Sequence, residues 1–533
     1  MAAMVARGVA AGDAPAEGTL AASLSEPRKL AIFLIMAVGQ FMAVLDIQIV
    51  ASAIGALQAG LSAAPDEVAW LQTAYLMAEI VMIPLSAFLA QALSTRWLFV
   101  LSAGLFTLAS LACGIAWDLK SMVLFRAVQG FFGGAMIPLV FATGFSFFHG
   151  AKAAMATAVL GVIATLAPTL GPTIGGWITD TLSWRWLFFI NIAPGVLVTL
   201  ALIALGPVDR ARPRLLAHID WLHALSLAVF LGGLQYVLEE GPRRQWFADP
   251  TVAAVGWASL VASVVFFERC FFSSAPLVRL RPFARAGFTG ASIVSFVIGF
   301  GLYAVTYLTP LFLFRVRGFS SFEIGTTVFV AGAFMTAATP AAAWLSSKID
   351  QKLVMAIGLI MFAASFWMIS DITPQWGFWQ LFWTQGVRGA AVLFCIVPSV
   401  GMALNIVPDE DLQDASGLNN LMRNLGGAVG IAMVNTWLGD FFAGHMLALS
   451  QGLGAAPDVA RQAVADLAAR LAASLPDPAR AVTAAQASLG QIVGLEALTL
   501  AFQDVFRLLA WLFVAALAAV PLCRGGPLSH RMH

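Results

Sequence analysis

Apolar stretches of roughly 20 residues, each long enough to cross a bilayer as a helix, recur along the whole chain and are separated by short polar breaks. They predict fourteen spans, beginning near residues 30, 68, 97, 121, 153, 186, 220, 251, 287, 322, 353, 379, 415 and 499. Six spans precede a basic, proline-containing segment at Gly206 to Ile219, two more precede a second basic segment at Arg279 to Arg285, and six follow. This plan predicts an all-α integral membrane protein: two six-helix bundles over 30–206 and 287–522, with a helical pair inserted at 207–286. The turn after the second span, Ala87 to Arg96, is echoed by Ala343 to Lys352 after the tenth, as expected of a duplicated half. Residues 444–498 form the one long connection. Within it Val459, Ala463, Val464, Leu467, Leu471 and Leu475 keep helical spacing and predict an amphipathic helix.

Composition agrees with the pattern, since 60% hydrophobic and 11% charged residues over 533 positions lie outside soluble averages. Residues 1–29 carry no apolar core of signal-peptide type and read as a disordered tail, with a second short tail at 523–533. An even span count puts both termini on one side. Lys and Arg gather around Arg28 and Lys29, Arg210 to Arg214 and Arg279 to Arg285, which makes that side the cytoplasm. A formal net charge of +1 gives no reason to expect a nucleic-acid partner. Cys113, Cys270, Cys395 and Cys523 have no metal or redox spacing and read as bulk apolar residues. There is no Walker loop, catalytic carboxylate pair or metal-ligand cluster, so neither an enzyme nor an ATP-driven pump is expected.

The chemistry lies in charges inside the apolar runs. An ionisable residue at mid-span costs about 2.5–3.5 kcal/mol on insertion scales, so each one that persists is a functional candidate. Asp46 stands in the middle of the first span, where a carboxylate can take up and release a proton; a structural ion pair is the alternative. Glu79, in the second span, shares a helix face with Gln72 and Tyr75. In the fourth span Arg126 faces the same way as Gln129, and its guanidinium is placed to pair with Asp46 or Glu79. Arg388 lies deep in the twelfth span, and Ser416, Asn420, Arg423 and Gly427 form a polar stripe along the thirteenth. Tyr303 and Tyr307, with Thr306 and Pro310, are candidate cavity lining in the ninth. Asp504 and Arg507 are placed to satisfy one another in the last span. In the fifth span Gly161, Thr165, Pro168, Pro172 and Gly175 step by three and four, leaving one face stripped of bulk where a partner backbone can approach.

Several local sequences occur together and in order: L-D-x-x-I-V at Leu45 to Val50, W-x-x-T-A-Y at Trp70 to Tyr75, R-x-x-Q-G at Arg126 to Gly130, G-P-x-x-G-G at Gly171 to Gly176, S-W-R-W at Ser183 to Trp186, and R-N-L-G-G at Arg423 to Gly427. From about residue 30 to 522 the chain resembles the major facilitator superfamily, in its fourteen-span drug:proton antiporters, the EmrB/QacA group. The resemblance implies the major facilitator fold and export of small amphipathic compounds by alternating access, driven by the proton motive force without a cofactor or metal. It implies that Asp46 carries protons or substrate and that Arg126 couples protonation to conformation; the residues themselves add Glu79 and Gln129 as coupling candidates and Gln48, Tyr75, Tyr303, Tyr307, Arg388, Asn420 and Arg423 as cavity candidates. Gly171, Pro172, Gly175 and Gly176 correspond to the antiporter seal, and Gly161 and Pro168 on the same bare helix face are candidates for the same seal or hinge. It further implies an inner-membrane location, with the lipid bilayer, a periplasmic adaptor and an outer-membrane channel as partners. A carrier of one metabolite and a membrane sensor that does not transport are the other readings.

The chain departs from the family pattern at the gating turn after the second span, where the family's glycine, aspartate and second glycine correspond to Ala87, Gln91 and Ser94, while Arg96 remains. In the second half the corresponding acid position is Ser347. Gln48 and Ala51 replace a usual threonine and asparagine, which implies an altered substrate preference.

Overall fold

A computed structural model describes residues 24–64, 67–68, 70–148, 151–273, 276–471 and 477–523, with some side chains inside helices also outside the description. The described chain is helical throughout. The long helices of the first half are α1 (Glu26–Ser52), α2 (Trp70–Leu93), α3 (Thr95–Gly114), α4 (Leu119–Phe147), α5 (Ala151–Thr181) and α6 (Trp186–Ala204, broken near Ile190), with a short helix at Ile54–Gly60 between α1 and α2. The inserted pair is α7 (Trp221–Glu240) and α8 (Pro250–Phe272). Then come α9 (Ala286–Arg315), α10 (Ser321–Lys348), α11 (Gln351–Ile369), α12 (Phe378–Asn405), α13 (Leu412–Ala455), a shorter α14 (Pro457–Leu471) and α15 (Pro478–Ala516).

Local chemistry sets many of the starts. Asp118, Asp249 and Asp477 accept backbone N–H bonds at the heads of α4, α8 and α15, and Ser320 with Glu323 forms a capping box on α10. Inside the bilayer a helix satisfies its own backbone, so the apolar run fixes the element and the caps only trim it.

Twelve helices among the described residues are long and apolar enough to cross a membrane. The expected count is fourteen; α5 and α13 make the difference. Side chains of α5 at Thr165, Pro168 and Pro172 lie outside the described residues, and the polar stripe of α13 lowers its hydropathy because that face meets protein rather than lipid.

Helices α1–α4 and α6 pack mainly within the first half, as α9–α13 with α15 do within the second, while α5 packs on both halves alike, and matched helices meet in matched ways. In the first half α4 crosses α2 where Gly130 faces the carbonyl of Tyr75; in the second, α12 crosses α10 where Gly389 faces the carbonyl of Ala331. Interior prolines recur on the same pairs, Pro84 with Pro340 and Pro138 with Pro398. The halves meet along α5 against α10 and α12, and along α2 and α4 against α13. Helix α7 covers the second of these seams, touching both α2 and α13, while α8 lies outside it and exposes Trp257, Leu260 and Val264 as a lipid-facing surface.

The end that carries the start of α1 is called proximal here and the opposite end distal. At the distal end the expected long loop at 444–498 is instead mostly helix: α13 runs on to Ala455, α14 follows, and α15 begins at Pro478. The alanine-rich composition supports helix beyond the membrane, where hydropathy falls but propensity does not. Ala463, Val464, Leu467 and Leu471 of the expected amphipathic face are half-buried where α14 packs on α15, Val459 is exposed, and Leu475 lies outside the described residues. Asp504 receives His445 Nε2 at 2.7 Å and Arg507 Nη1 at 3.4 Å, and Arg507 also reaches Asp371.

Candidate functional site

Asp46 on α1 and Arg126 on α4 form an ion pair at 2.5 Å in which both side chains are wholly buried. The sequence leaves Arg126 with two possible partners, and the structure selects Asp46. The second oxygen of Asp46 accepts from Gln129 Nε2 at 3.0 Å and from Asn191 Nδ2 at 2.7 Å. Gln129 turns its own Oε1 to Arg126 Nη1 at 2.8 Å. Ser110 of α3 closes the ring: it accepts from Gln129 and Asn191 at 3.2 and 3.0 Å and donates to the Phe188 carbonyl. Arg126 Nε reaches the Leu71 carbonyl at 3.2 Å, and the guanidinium lies 4.3 Å from the centre of the Tyr75 ring. Ser110 and Asn191 are neutral and escape a search for charges, although Asn191 closes the S-W-R-W-L-F-F-I-N run. Cys113, read as bulk apolar, points its thiol at Gln129 Oε1, 3.7 Å away.

Glu79 stands apart from this ring. It is buried on α2, makes no hydrogen bond or ion pair among the described residues, and lies within electrostatic reach of Arg126 and of Tyr303 on α9, in the other half. Tyr303 donates to Asn424 Oδ1 at 3.3 Å, and its ring covers Gly427. Arg423 donates to Asn420 and lies 5.7 Å from the Phe141 ring of α4, and Ser416 donates to the Pro138 carbonyl at 2.8 Å. The stripe on α13 therefore faces the first half across the seam. Tyr307 bonds Asn435 at 2.6 Å, a turn or so farther toward the distal end. Arg388 lies inside the second half with Gln385 and Thr309. Gln48 packs against Gly171 of α5, so of the cavity candidates Gln48 and Tyr75 belong to the packing of the first half.

Helix α5 carries the glycines expected to form a seal. Gly161 faces Leu393 of α12, Thr173 meets Gly325 of α10, and Gly175 and Gly176 are buried. The side chains of Pro168 and Pro172 lie outside the described residues.

The turn expected to gate, after α2, is built from Gln91, Ser94 and Arg96. Ser94 holds φ at 77°, a region that favours glycine, in the place of the family's second glycine. Its Oγ caps Trp97 N–H, and the Gln91 carbonyl accepts from Arg212 N–H in the segment after α6. Arg96 does not reach across the halves; it donates to the Leu202 and Ile203 carbonyls at the end of α6, where a cation meets the negative end of a helix. A cross-half link at this turn is Thr95, whose hydroxyl accepts from Gln413 Nε2 of α13 at 2.9 Å and donates to Asp209 at 2.7 Å, while its N–H also meets Asp209. With Thr173 against Gly325 near the distal end, the halves touch at both ends. Gln413→Ala removes a hydrogen bond worth about 1 kcal/mol and is expected to lengthen or broaden the pulsed-EPR distance between spin labels at Trp97 and Glu410. An unchanged distribution is incompatible with Thr95 and Gln413 acting as a clasp.

Among the described residues no group of His, Cys, Asp or Glu is placed to hold a metal ion.

Residues 36–443 match the Major Facilitator Superfamily. The chain is 38% identical to the colistin resistance protein EmrB of Acinetobacter baumannii, over 93% of this chain and 96% of that one. It is 29% identical to the multidrug export protein EmrB of Escherichia coli, over 75% and 78% of the two chains. Among solved structures the fold is similar to the proton:xylose symporter XylE, with a TM-score of 0.58 at 13% identity over 93% of this chain and 95% of that one. It is also similar to the human organic anion transporter MFSD10, with a TM-score of 0.57 at 13% identity over 91% and 99%. A transporter of this kind accounts for charges kept inside an apolar bundle without any catalytic group, and the chain belongs to the major facilitator superfamily, in its EmrB-type group.

Proposed function

We propose that this chain exports small amphipathic compounds in exchange for protons, by alternating access across the inner membrane, with fourteen spans and both termini in the cytoplasm. The Asp46–Arg126 pair carries the reading. A proton placed on Asp46 removes the charge that balances a buried guanidinium, so one proton changes the force between α1 and α4. Gln129 follows Arg126 and reports that change to Ser110 and Asn191. Glu79 faces the second half without a partner and is the group where a substrate and a proton exclude one another. Tyr303, Tyr307, Asn420 and Arg423 line the path on the other side of the seam, and Arg388 lies deeper in the second half. Gly161, Gly171, Gly175 and Gly176, with Pro168 and Pro172, let α5 slide against α10 and α12. The relatives' activities, multidrug export and colistin resistance, support a broad amphipathic substrate class. The helices beyond the distal end, α14 with the outer parts of α13 and α15, are the docking place for a periplasmic adaptor and outer-membrane channel.

The test is proton movement on addition of cationic, neutral and anionic compounds to energised inside-out vesicles. Substrate-induced flux is expected in the wild type and absent in Asp46→Asn at equal membrane abundance. Flux that persists in Asp46→Asn removes Asp46 from coupling. Its absence in the wild type with every compound sinks the antiport reading.

A further inference from the structure

The turn that joins the inserted helices α7 and α8 has an unusual backbone. Gln245 and Trp246, adjacent and neither a glycine, both hold φ in the left-handed region, at 58° and 56°. Such a conformation is unfavourable for a side chain of this bulk and persists only where the surroundings fix it. Here they do. Trp246 N–H donates to the Gly241 carbonyl at 2.7 Å, its ring lies over Gly241, which has no Cβ to displace it, and the buried Glu240 accepts from Arg244 Nε at 3.0 Å. The turn so held aims the indole of Trp246 at α13, where its Nε1–H donates to the Thr436 hydroxyl at 3.1 Å.

The same helical pair is anchored on the opposite half. Tyr236 and Val237, near the end of α7, pack with Trp70 and Met77 of α2, and the Trp70 and Tyr236 rings stand 5.6 Å apart. Helix α8 is tied to α7 by Ser259, which donates to the Phe230 carbonyl at 2.8 Å. Trp70 opens α2, Glu240 ends α7, and Thr436 lies beyond the middle of α13, so these contacts fall together toward the distal end. The pair therefore reaches from the first half to the second across the seam between α2 and α13.

We propose that the inserted pair is a strap over the distal end of that seam: it rides on α2, holds α13 through the Trp246–Thr436 hydrogen bond, and so favours the state in which the seam is closed at that end. The grip on α2 is aromatic packing with buried area, whereas the turn holds α13 by one hydrogen bond between neutral groups, the weaker of the two. Separation of the halves at the distal end thus breaks the bond to Thr436 first and leaves the pair with α2. The inference rests on the alternating-access reading for the movement that the strap restrains.

The experiment is pulsed EPR on the purified full-length protein, without substrate or gradient, with spin labels at the exposed Lys120 of α4 and Asp440 of α13. Trp246→Phe keeps a ring and loses the donor; Thr436→Val keeps the shape and loses the acceptor. Each is expected to elute at the wild-type position and to raise the ratio of longer to shorter distances about fivefold, the factor set by one ordinary hydrogen bond. Thr436→Ser, which keeps the hydroxyl, is expected to retain the wild-type distribution. A distribution unchanged in either Trp246→Phe or Thr436→Val, a shift to shorter distances, or a Thr436→Ser protein that behaves like Thr436→Val overturns the strap. Such a failure leaves proton-driven export to its own flux assay, and a failed flux assay beside the expected shift sinks antiport while the strap stands.

Discussion

Arg126→Ala is expected to cost about 3–5 kcal/mol of stability, because it strips a wholly buried carboxylate of its counter-charge. The same substitution removes the bond to the Leu71 carbonyl and the contact with the Tyr75 ring, and leaves Gln129 Oε1 without its strongest donor. Asp46→Asn is milder. It preserves shape and one acceptor for Arg126, yet its new NH₂ group faces Gln129 or Asn191, which are themselves donors. The double variant Asp46→Asn/Arg126→Gln removes both charges together and is expected to recover much of what Arg126→Ala loses. Thermal melting followed by size-exclusion chromatography in detergent measures all three. If the double variant melts with or below Arg126→Ala, the pair is not what stabilises the first half.

The second large effect lies where α9 and α13 cross. A Cβ built on Gly426 falls 2.0 Å from the Phe296 carbonyl oxygen, and one on Gly299 falls 2.0 Å from that of Arg423. These neighbours are backbone, so they give only if the helices separate. Overpacking of this kind costs typically 1–3 kcal/mol, occasionally more, and both Gly426→Ala and Gly299→Ala are expected at or above the top of that range. Gly439 lies on the same helix with nothing within 4 Å of its built Cβ, so Gly439→Ala is expected to gain about 1 kcal/mol or less from helix propensity. Similar melting shifts for all three variants contradict the close crossing.

Much of the bundle is legible in the sequence because a bilayer leaves few choices. A run of about 20 apolar residues must be helical there, and a charge within it must face protein. Asp46 and Arg126 could be found that way. Ser110 and Asn191 could not, since neutral hydrogen-bonding residues cost little anywhere in a helix and gain meaning only from what they face. The proximal clasp was hidden for another reason: its acid, Asp209, stands 114 residues beyond Thr95, outside the turn where the family pattern places one. The outer helices were hidden because hydropathy marks the part of a helix that meets lipid and falls silent where an alanine-rich helix continues into water. The contrast between Arg126 and Arg388 is equally invisible in sequence. Both are arginines beside a glutamine three residues away, and only the fold shows that α1 brings a carboxylate to one and α9 brings a hydroxyl to the other.

Helix α13 has 44 residues, about 66 Å at 1.5 Å per residue, against a hydrocarbon layer of about 30 Å. A rod of that length, held at the seam by Ser416 and braced outside by α15, is a lever arm. Under the alternating access proposed above, a displacement too small to notice at the charge network would be magnified at the far tip. In that proposal the tip would indicate which way the carrier faces, and a partner resting on it would receive the cycle as mechanical movement.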